Sequence, residues 1–104
     1  MAQVVERTVW RIHYGKDAQV REMMQEFRAL VLKLGVSKVE IQSGLAGKDV
    51  GNIIMLQYFK SAEDNGRLND AFANDADIQA FMKKRAGMPQ DADFISHDLY
   101  VIEE

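Results

Sequence analysis

Two histidines and a few polar side chains on predicted strands are the residues that could take part in chemistry. His97 lies in the last strand-like segment and can act as a general base or orient a substrate, because histidine titrates near neutral pH. Alternatively, it is a structural strand histidine. Arg11 and His13 are two residues apart, about 6.7 Å along a strand. They could bind an anionic group, or join a polar network at a subunit interface with residues such as Glu40 or Gln42.

Aromatic side chains recur at positions that would face the interior. They could line a pocket for a flat aromatic ligand, or they could simply form the core. The indole N–H of a buried tryptophan needs a hydrogen-bond partner, so Trp10 is the aromatic residue that we expect to touch something polar. The residues concerned are Trp10, Phe27, Phe59, Phe72 and Phe81, with Gln57 on the same predicted strand face as Phe59.

The composition excludes several kinds of protein. The chain has no cysteine, which rules out disulfides, thiolate metal sites and a cysteine nucleophile. Neither histidine has a carboxylate at a recognised ligand spacing, so we expect no metal. The net charge of -3 argues against binding to nucleic acid. No apolar run is long enough for a signal peptide or a membrane span, so a cytoplasmic protein without membrane contact is expected.

The first half of the sequence predicts a strand, a helix and a second strand within a single domain, residues 1–104. Val4 to Tyr14 is rich in β-branched and aromatic residues. Asp17 can cap the next helix, whose apolar stripe runs from Val20 to Leu34 and stops at Gly35. Val36 to Ser43 alternates between polar and apolar residues, which is typical of an edge strand with one wet face.

The second half predicts a buried strand, a broken helix and a last strand. Asn52 to Lys60 is apolar on both faces, as expected for a strand that is covered on both sides. Ser61 can cap the second helix, and a break is expected at Asn74, which could cap a second helical piece. Gly87-Met88-Pro89 should end that piece, and Asp93 to Ile102 forms the last strand.

The predicted order βαββαβ gives an α+β domain. Right-handed crossovers produce one four-stranded antiparallel sheet, with the first and third strands in the middle and the helices on one face. The other face would be bare, showing Val9 and either Ile54, Leu56 and Tyr58 or the opposite set. Because a contiguous apolar face usually marks an interface, the sequence predicts a homodimer in which two sheets pack together.

Three segments also carry a resemblance to a known group of proteins. Residues 10–16 (WRIHYGK) are similar to a pattern of alternating apolar residues, Pro-Gly-Lys and a helix. Residues 57–63 (QYFKSAE) are similar to Glu-x-Trp-x-Ser-x-Glu, and residues 73–81 to a Ser-Pro-His…Phe segment. Together these patterns resemble the dimeric α+β-barrel (ferredoxin-like) superfamily, in particular its antibiotic-biosynthesis-monooxygenase-like and NIPSNAP-like groups. The resemblance covers nearly the whole chain.

The resemblance implies a homodimer that holds its substrate between the sheet and the helices of each subunit. Trp10, Ile12, Gln57 and Phe59 would then face the pocket, while Arg11 and His13 would face the partner's sheet. It also implies oxygenation without a cofactor. Relatives that degrade haem have a histidine in the second helix and a tryptophan in the third strand. Here residues 74–77 read Asn-Asp-Ala-Asp and the tryptophan is Phe59, so haem degradation is not implied.

Two functions from different classes follow. The first is an enzyme that acts on a small apolar or aromatic metabolite, with His97 as the catalytic residue and a ligand site made of Trp10, Gln57, Phe59, Phe27 and Phe72. The second is a non-catalytic dimer that binds a small molecule or serves as an accessory subunit. An RNA-binding sheet of similar topology is disfavoured, because the basic and aromatic sheet surface that RNA needs is missing.

Overall fold

A computed structural model gives the fold of the chain and describes residues 2–86 and 90–103. The elements follow the predicted order, with the second helix in two pieces. The predicted helix stop at Gly87-Met88-Pro89 lies outside the described residues. The elements are β1 (Val4–Ile12), α1 (Asp17–Leu34), β2 (Lys38–Ser43), β3 (Asn52–Phe59), α2 (Ala62–Asn74), α3 (Ala76–Ala86) and β4 (Ala92–Val101).

The four strands form one antiparallel sheet in the order β2-β3-β1-β4. This confirms the α+β fold class, the two central strands and the edge position of β2. Paired residues of neighbouring strands lie on the same face of a sheet. Thr8 is paired with Met55 of β3 on one side and with His97 of β4 on the other, so all three side chains share a face.

The hydrophobic core lies between that face of the sheet and the helices. The inward residues of β1 are even-numbered, from Val4 to Ile12, and those of β3 are odd-numbered. Ile53 and Met55 are completely buried there, together with Val20 of α1. Leu68 of α2 joins the same cluster. Within residues 2–86 and 90–103, no helix is both long and apolar enough to cross a membrane.

The opposite face of the sheet is less bare than the sequence predicts. Val9 and Ile54, which should have been exposed in a single chain, are only 1% and 6% accessible. Polar side chains on that face bond to one another and to the turn between β2 and β3. The Arg7 guanidinium contacts the Asp49 carboxylate at 2.9 Å. The prediction was wrong at the centre of this face because it ignored the reach of long side chains beside Val9.

A hydrogen bond on the same face perturbs two titratable groups. The Tyr58 hydroxyl donates to Glu40 Oε1 at 2.6 Å, between β3 and β2. This bond lowers the pKa of Glu40, and with burial and the carboxylate's charge it raises the pKa of Tyr58. The pair therefore stabilises the β2–β3 contact only while the carboxylate is ionised and the phenol is neutral.

The helix ends differ in detail from the prediction. Asp17 is the first residue of α1 and does not cap it, since the cap position is Lys16 and makes no side-chain capping bond. Ser61 does cap α2, because its hydroxyl accepts from the backbone N–H of Asp64 at 3.1 Å. The break falls at Asp75, whose carboxylate caps α3 by accepting from the Ile78 N–H at 3.0 Å. Asp75 takes the role predicted for Asn74.

Candidate functional site

A cavity of about 270 Å³ lies between the sheet and the helices. It is lined by residues from β1, β3 and β4 and from α1 and α2. The lining brings together all six residues that the sequence analysis assigns to catalysis or ligand binding: His97, Trp10, Gln57, Phe59, Phe27 and Phe72. Their functional roles stay predictions, but their convergence on one cavity is a property of the fold.

Much of the wall of this cavity is aromatic. Phe27 of α1 and Phe72 of α2 meet edge to face, with ring centroids 5.9 Å apart. Phe59 at the end of β3 is almost completely buried, and Trp10 is half-buried. Phe81 of α3 packs against Phe27 at 5.7 Å without lining the cavity. Packed aromatic rings at these distances can form an apolar surface for a flat ligand.

A buried carboxylate, Glu6, lies in this mainly apolar wall and was missed by the sequence analysis. It is 7% exposed, on the inward face of β1. Its Oε2 accepts from the side-chain amides of two residues one turn apart on α2, Asn65 at 2.6 Å and Asn69 at 3.3 Å. The sequence did contain a signal. Glu6 falls between Val4 and Thr8 on the inward side of an alternating strand, where burying a charge costs free energy unless the charge is paired or hydrogen-bonded.

His97 is held between two residues of β1. Its Nε2 lies 3.0 Å from Glu6 Oε1, and its Nδ1 lies 2.7 Å from Thr8 Oγ1. An ionised carboxylate only accepts hydrogen bonds, so Nε2 carries the proton of the neutral ring. Nδ1 is then the acceptor, and the Thr8 hydroxyl donates to it. Thr8 was also missed by the sequence analysis, since a single strand threonine is an ordinary β-former.

The edge position of β4 leaves one side of this site open. The His97 side chain is 45% exposed, whereas that of Glu6 is 9% exposed. Gln57 is paired with Glu6 across β1 and β3 and lines the cavity from the other side. The described residues include no group of three or more histidine, aspartate or glutamate side chains that could hold a metal ion.

Arg11 and His13 have different partners within the chain. Arg11 Nε donates to Asn52 Oδ1 at 3.4 Å, on the outer face of the sheet. β1 ends at Ile12, so His13 is not a strand residue as predicted. Its Nε2 lies 2.9 Å from Asp93 Oδ1, and the ring lines a second cavity of about 550 Å³ at the end of the sheet. A role for either residue at a subunit interface or in anion binding stays a prediction.

A register shift alters the faces of β4. The pairing of β1 with β4 moves by one residue between Val9 and Trp10, which leaves Ile95 without a partner in the ladder. Phe94 therefore lies beside Trp10, on the same side of the sheet as His97. Strict alternation along the sequence would put Phe94 and His97 on opposite faces, since it cannot reveal a bulge.

Comparisons with known proteins support the fold but do not assign a function. No model of a known protein family matches the sequence, and no curated protein matches it. Similar solved structures include an uncharacterised NIPSNAP domain protein from Burkholderia xenovorans, with 14% identity, a TM-score of 0.73 and coverage of 96% of this chain and 94% of that one. A NIPSNAP family protein from Agrobacterium tumefaciens has 19% identity, a TM-score of 0.65 and coverage of 96% and 83%.

A third similar structure is a provisionally assigned antibiotic biosynthesis monooxygenase from Chloroflexus aurantiacus. It has 15% identity and a TM-score of 0.67, and the match covers 98% of this chain and 94% of that one. All three identities are low, so the likeness concerns the backbone. The chain has the ferredoxin-like α+β fold shared by NIPSNAP proteins and antibiotic-biosynthesis-monooxygenase-like proteins.

Proposed function

We propose that this protein is an enzyme that holds a small apolar or aromatic metabolite between its sheet and its helices and removes a proton from it. The observation that carries the proposal is the set of three residues Glu6, His97 and Thr8 in the wall of a mainly apolar cavity. A histidine oriented by a carboxylate is a common form of general base.

Proton removal uses His97 Nδ1. Glu6 fixes the ring and the tautomer by accepting from Nε2–H, and it stabilises the imidazolium that forms when Nδ1 takes a proton. In the free protein the Thr8 hydroxyl donates a hydrogen bond to Nδ1, and this bond has to break when the substrate binds. Trp10 and Gln57 would position the substrate.

The reaction that we propose is oxygenation by O₂ without a cofactor. His97 takes one hydrogen of a substrate CH₂ group as a proton, and the electron-rich carbanion adds O₂ to give a peroxide anion. This anion regains the proton from His97. Loss of water from the hydroperoxide then leaves a carbonyl group. One oxygen atom stays on the substrate and the other leaves in water, so the balance needs no external reductant.

We further propose that the protein acts as a homodimer in which a second copy covers β4. This edge strand exposes five large apolar side chains in a single chain: Phe94, Ile95, Leu99, Tyr100 and Val101. An apolar edge of this length promotes association. Because His97 is on the same strand, a second copy would also shield the base from water, which strengthens electrostatic interactions in the site.

Light scattering at micromolar concentration tests the dimer. Leu99→Lys should give the monomer mass, because a lysine at the interface would be desolvated without a partner. Val50→Lys is a matched control in the β2–β3 turn, since Val50 and Leu99 are 56% and 52% exposed. A wild-type protein with the mass of one chain would refute the dimer.

Oxygen uptake by the purified protein tests the enzyme, with a panel of electron-rich aromatic compounds that carry an acidic CH₂ group, anthrone first. We expect His97→Ala to slow turnover by a factor of about 10² to 10⁴ while the fold stays intact. His13→Ala removes the other histidine and should have little effect. Binding of these compounds without oxygen uptake would instead favour the non-catalytic binding or accessory dimer.

A further inference from the structure

We infer that the ligand of this cavity carries a protonated amine, which pairs with Glu6. This inference rests on the proposed function insofar as it takes the cavity to be the ligand site. It adds the chemical class of the ligand's polar end, which neither the fold nor the similar structures indicate.

The charge of the cavity favours a cationic ligand. Among its lining residues, Glu6 is the only one with a carboxyl group, and none is a lysine or an arginine. Apart from His97, whose ring is already paired with Glu6, no group in the wall can offset a second negative charge, so a site of this composition disfavours carboxylate and phosphate ligands. The ligands that it favours are neutral or cationic.

The partners of Glu6 supply no permanent positive charge. Buried carboxylates are normally paired with a cation. In the described part of the chain, Glu6 contacts two neutral amides, those of Asn65 and Asn69, and the imidazole of His97. Each carboxylate oxygen can accept about two hydrogen bonds. Oε2 accepts two and Oε1 accepts one, so Oε1 keeps a place for a donor on a ligand.

The aromatic wall of the cavity also favours a cation. Trp10, Phe27, Phe59 and Phe72 line the same cavity as Glu6. The faces of aromatic rings attract cations, most strongly where water is excluded. A carboxylate together with aromatic rings suits an amine attached to an apolar or aromatic body better than it suits a hydroxyl group of the same size.

The proposed proton transfer gains from this charge. After the transfer the site would hold the Glu6 carboxylate, the His97 imidazolium and a substrate anion, which leaves one uncompensated negative charge. An ammonium group on the substrate makes the sum zero. A neutral assembly costs less to keep in a cavity shielded from water.

Three probes of similar size test the inference: 2-phenylethylamine, 2-phenylethanol and phenylacetate. Trp10 is the only tryptophan of the chain and lines the cavity, so its fluorescence reports binding to the intact protein. At pH 8 we expect the amine to bind at least tenfold more tightly than the alcohol, and phenylacetate to bind more weakly than both. Glu6→Gln should remove the preference for the amine. Glu63→Gln, the same change at an exposed position of α2, should keep it.

The outcomes separate this inference from the proposed function. Equal affinity for the amine and the alcohol, or tighter binding of phenylacetate, overturns the amine inference and leaves the ligand cavity standing. No binding of any probe counts against both. If Glu6→Gln does not fold, as judged by circular dichroism, the order of the three affinities in the wild-type protein decides the question alone.

Discussion

The hydrogen bond between Asn65 and Glu6 should be one of the strongest single interactions between a helix and the sheet. It joins the Asn65 amide to Glu6 Oε2 at 2.6 Å, and the two residues are 8% and 7% exposed. Bonds to a charged acceptor contribute about 1.5–3 kcal/mol, roughly twice as much as neutral ones. We therefore predict a coupling free energy of about 1.5–3 kcal/mol between these two side chains.

A double-mutant cycle measures this coupling. Asn65→Ala should lower the free energy of unfolding by about 2 kcal/mol, because it removes the shortest bond and leaves Glu6 with two weaker donors. Glu6→Ala should cost more, since it leaves the buried amide of Asn65 without its acceptor and also removes the carboxylate partner of His97; Asn69 keeps its 2.9 Å bond to the Asn65 carbonyl oxygen. In Glu6→Ala, the additional change Asn65→Ala should cost almost nothing.

The cycle needs the free energy of unfolding of four proteins: the wild type, the two single variants and the double variant. Urea denaturation gives these values, with the protein concentration kept the same in all four experiments. The control cycle uses Lys33 and Asp77, an exposed pair at 3.3 Å, for which we expect a coupling below about 1 kcal/mol. A coupling between Glu6 and Asn65 that is no larger than in this control would refute the view that Glu6 is held as a buried anion. It would also weaken the two proposals that depend on its charge.

The other predictions concern backbone conformation and pH. Gly66→Ala, within α2 and with free space around the added methyl group, should raise stability by about 0.5–1 kcal/mol, as the shift of the urea midpoint would show. Gly44→Ala should destabilise the fold, because its Cβ would lie 1.8 Å from the Asp49 carbonyl oxygen; an unchanged midpoint would show that this turn adjusts freely. The Tyr58–Glu40 bond should stabilise the protein above the ordinary carboxyl pKa of 4.5, with loss as the pH falls through the lowered pKa of Glu40. The same bond should stabilise the protein below the ordinary tyrosine pKa of 10.0, and this stabilisation should be lost as the pH rises through the raised pKa of Tyr58. The stability difference between wild type and Tyr58→Phe should therefore disappear at both extremes, and a difference that is constant from acid to alkaline pH would contradict this.

The order of the elements and their packing could be predicted because the spacing of apolar residues indicates both the type of each element and the side that is buried. The stripe from Val20 to Leu34 has the period of a helix that is covered on one side. The apolar residues on both sides of β3 indicate a central strand. Both patterns depend only on neighbours in sequence and on burial. The same alternation placed Gln57 and Phe59 on one strand face and Trp10 opposite Arg11, and the family resemblance implied that the faces of Trp10, Gln57 and Phe59 line the pocket.

The polar part of the site could not be predicted in this way. Glu6 and His97 are 91 residues apart, and the partners of Glu6 on α2 are about 60 residues away. Their contact depends on the exact pairing of β1 with β4 and on the rotation of α2 about its axis. Composition and periodicity specify neither. The sequence analysis therefore found the histidine, whose chemistry is conspicuous alone, and missed the carboxylate that orients it.

The register of β4 is what makes these residues a site. The one-residue shift in pairing occurs between Val9 and Trp10, on the far side of the Thr8–His97 pair. A slip of one residue turns every side chain of a strand segment to the opposite face. Without the bulge, and with Phe94 still paired with Trp10, the imidazole would face away from Glu6, and Leu99 and Val101 would also turn to the opposite face. Because the bulge lies at Ile95, the His97 side chain points toward Glu6, and Phe94 lies on the same face of the sheet as Trp10. The chemistry that we propose depends on this irregularity as much as on the residue types.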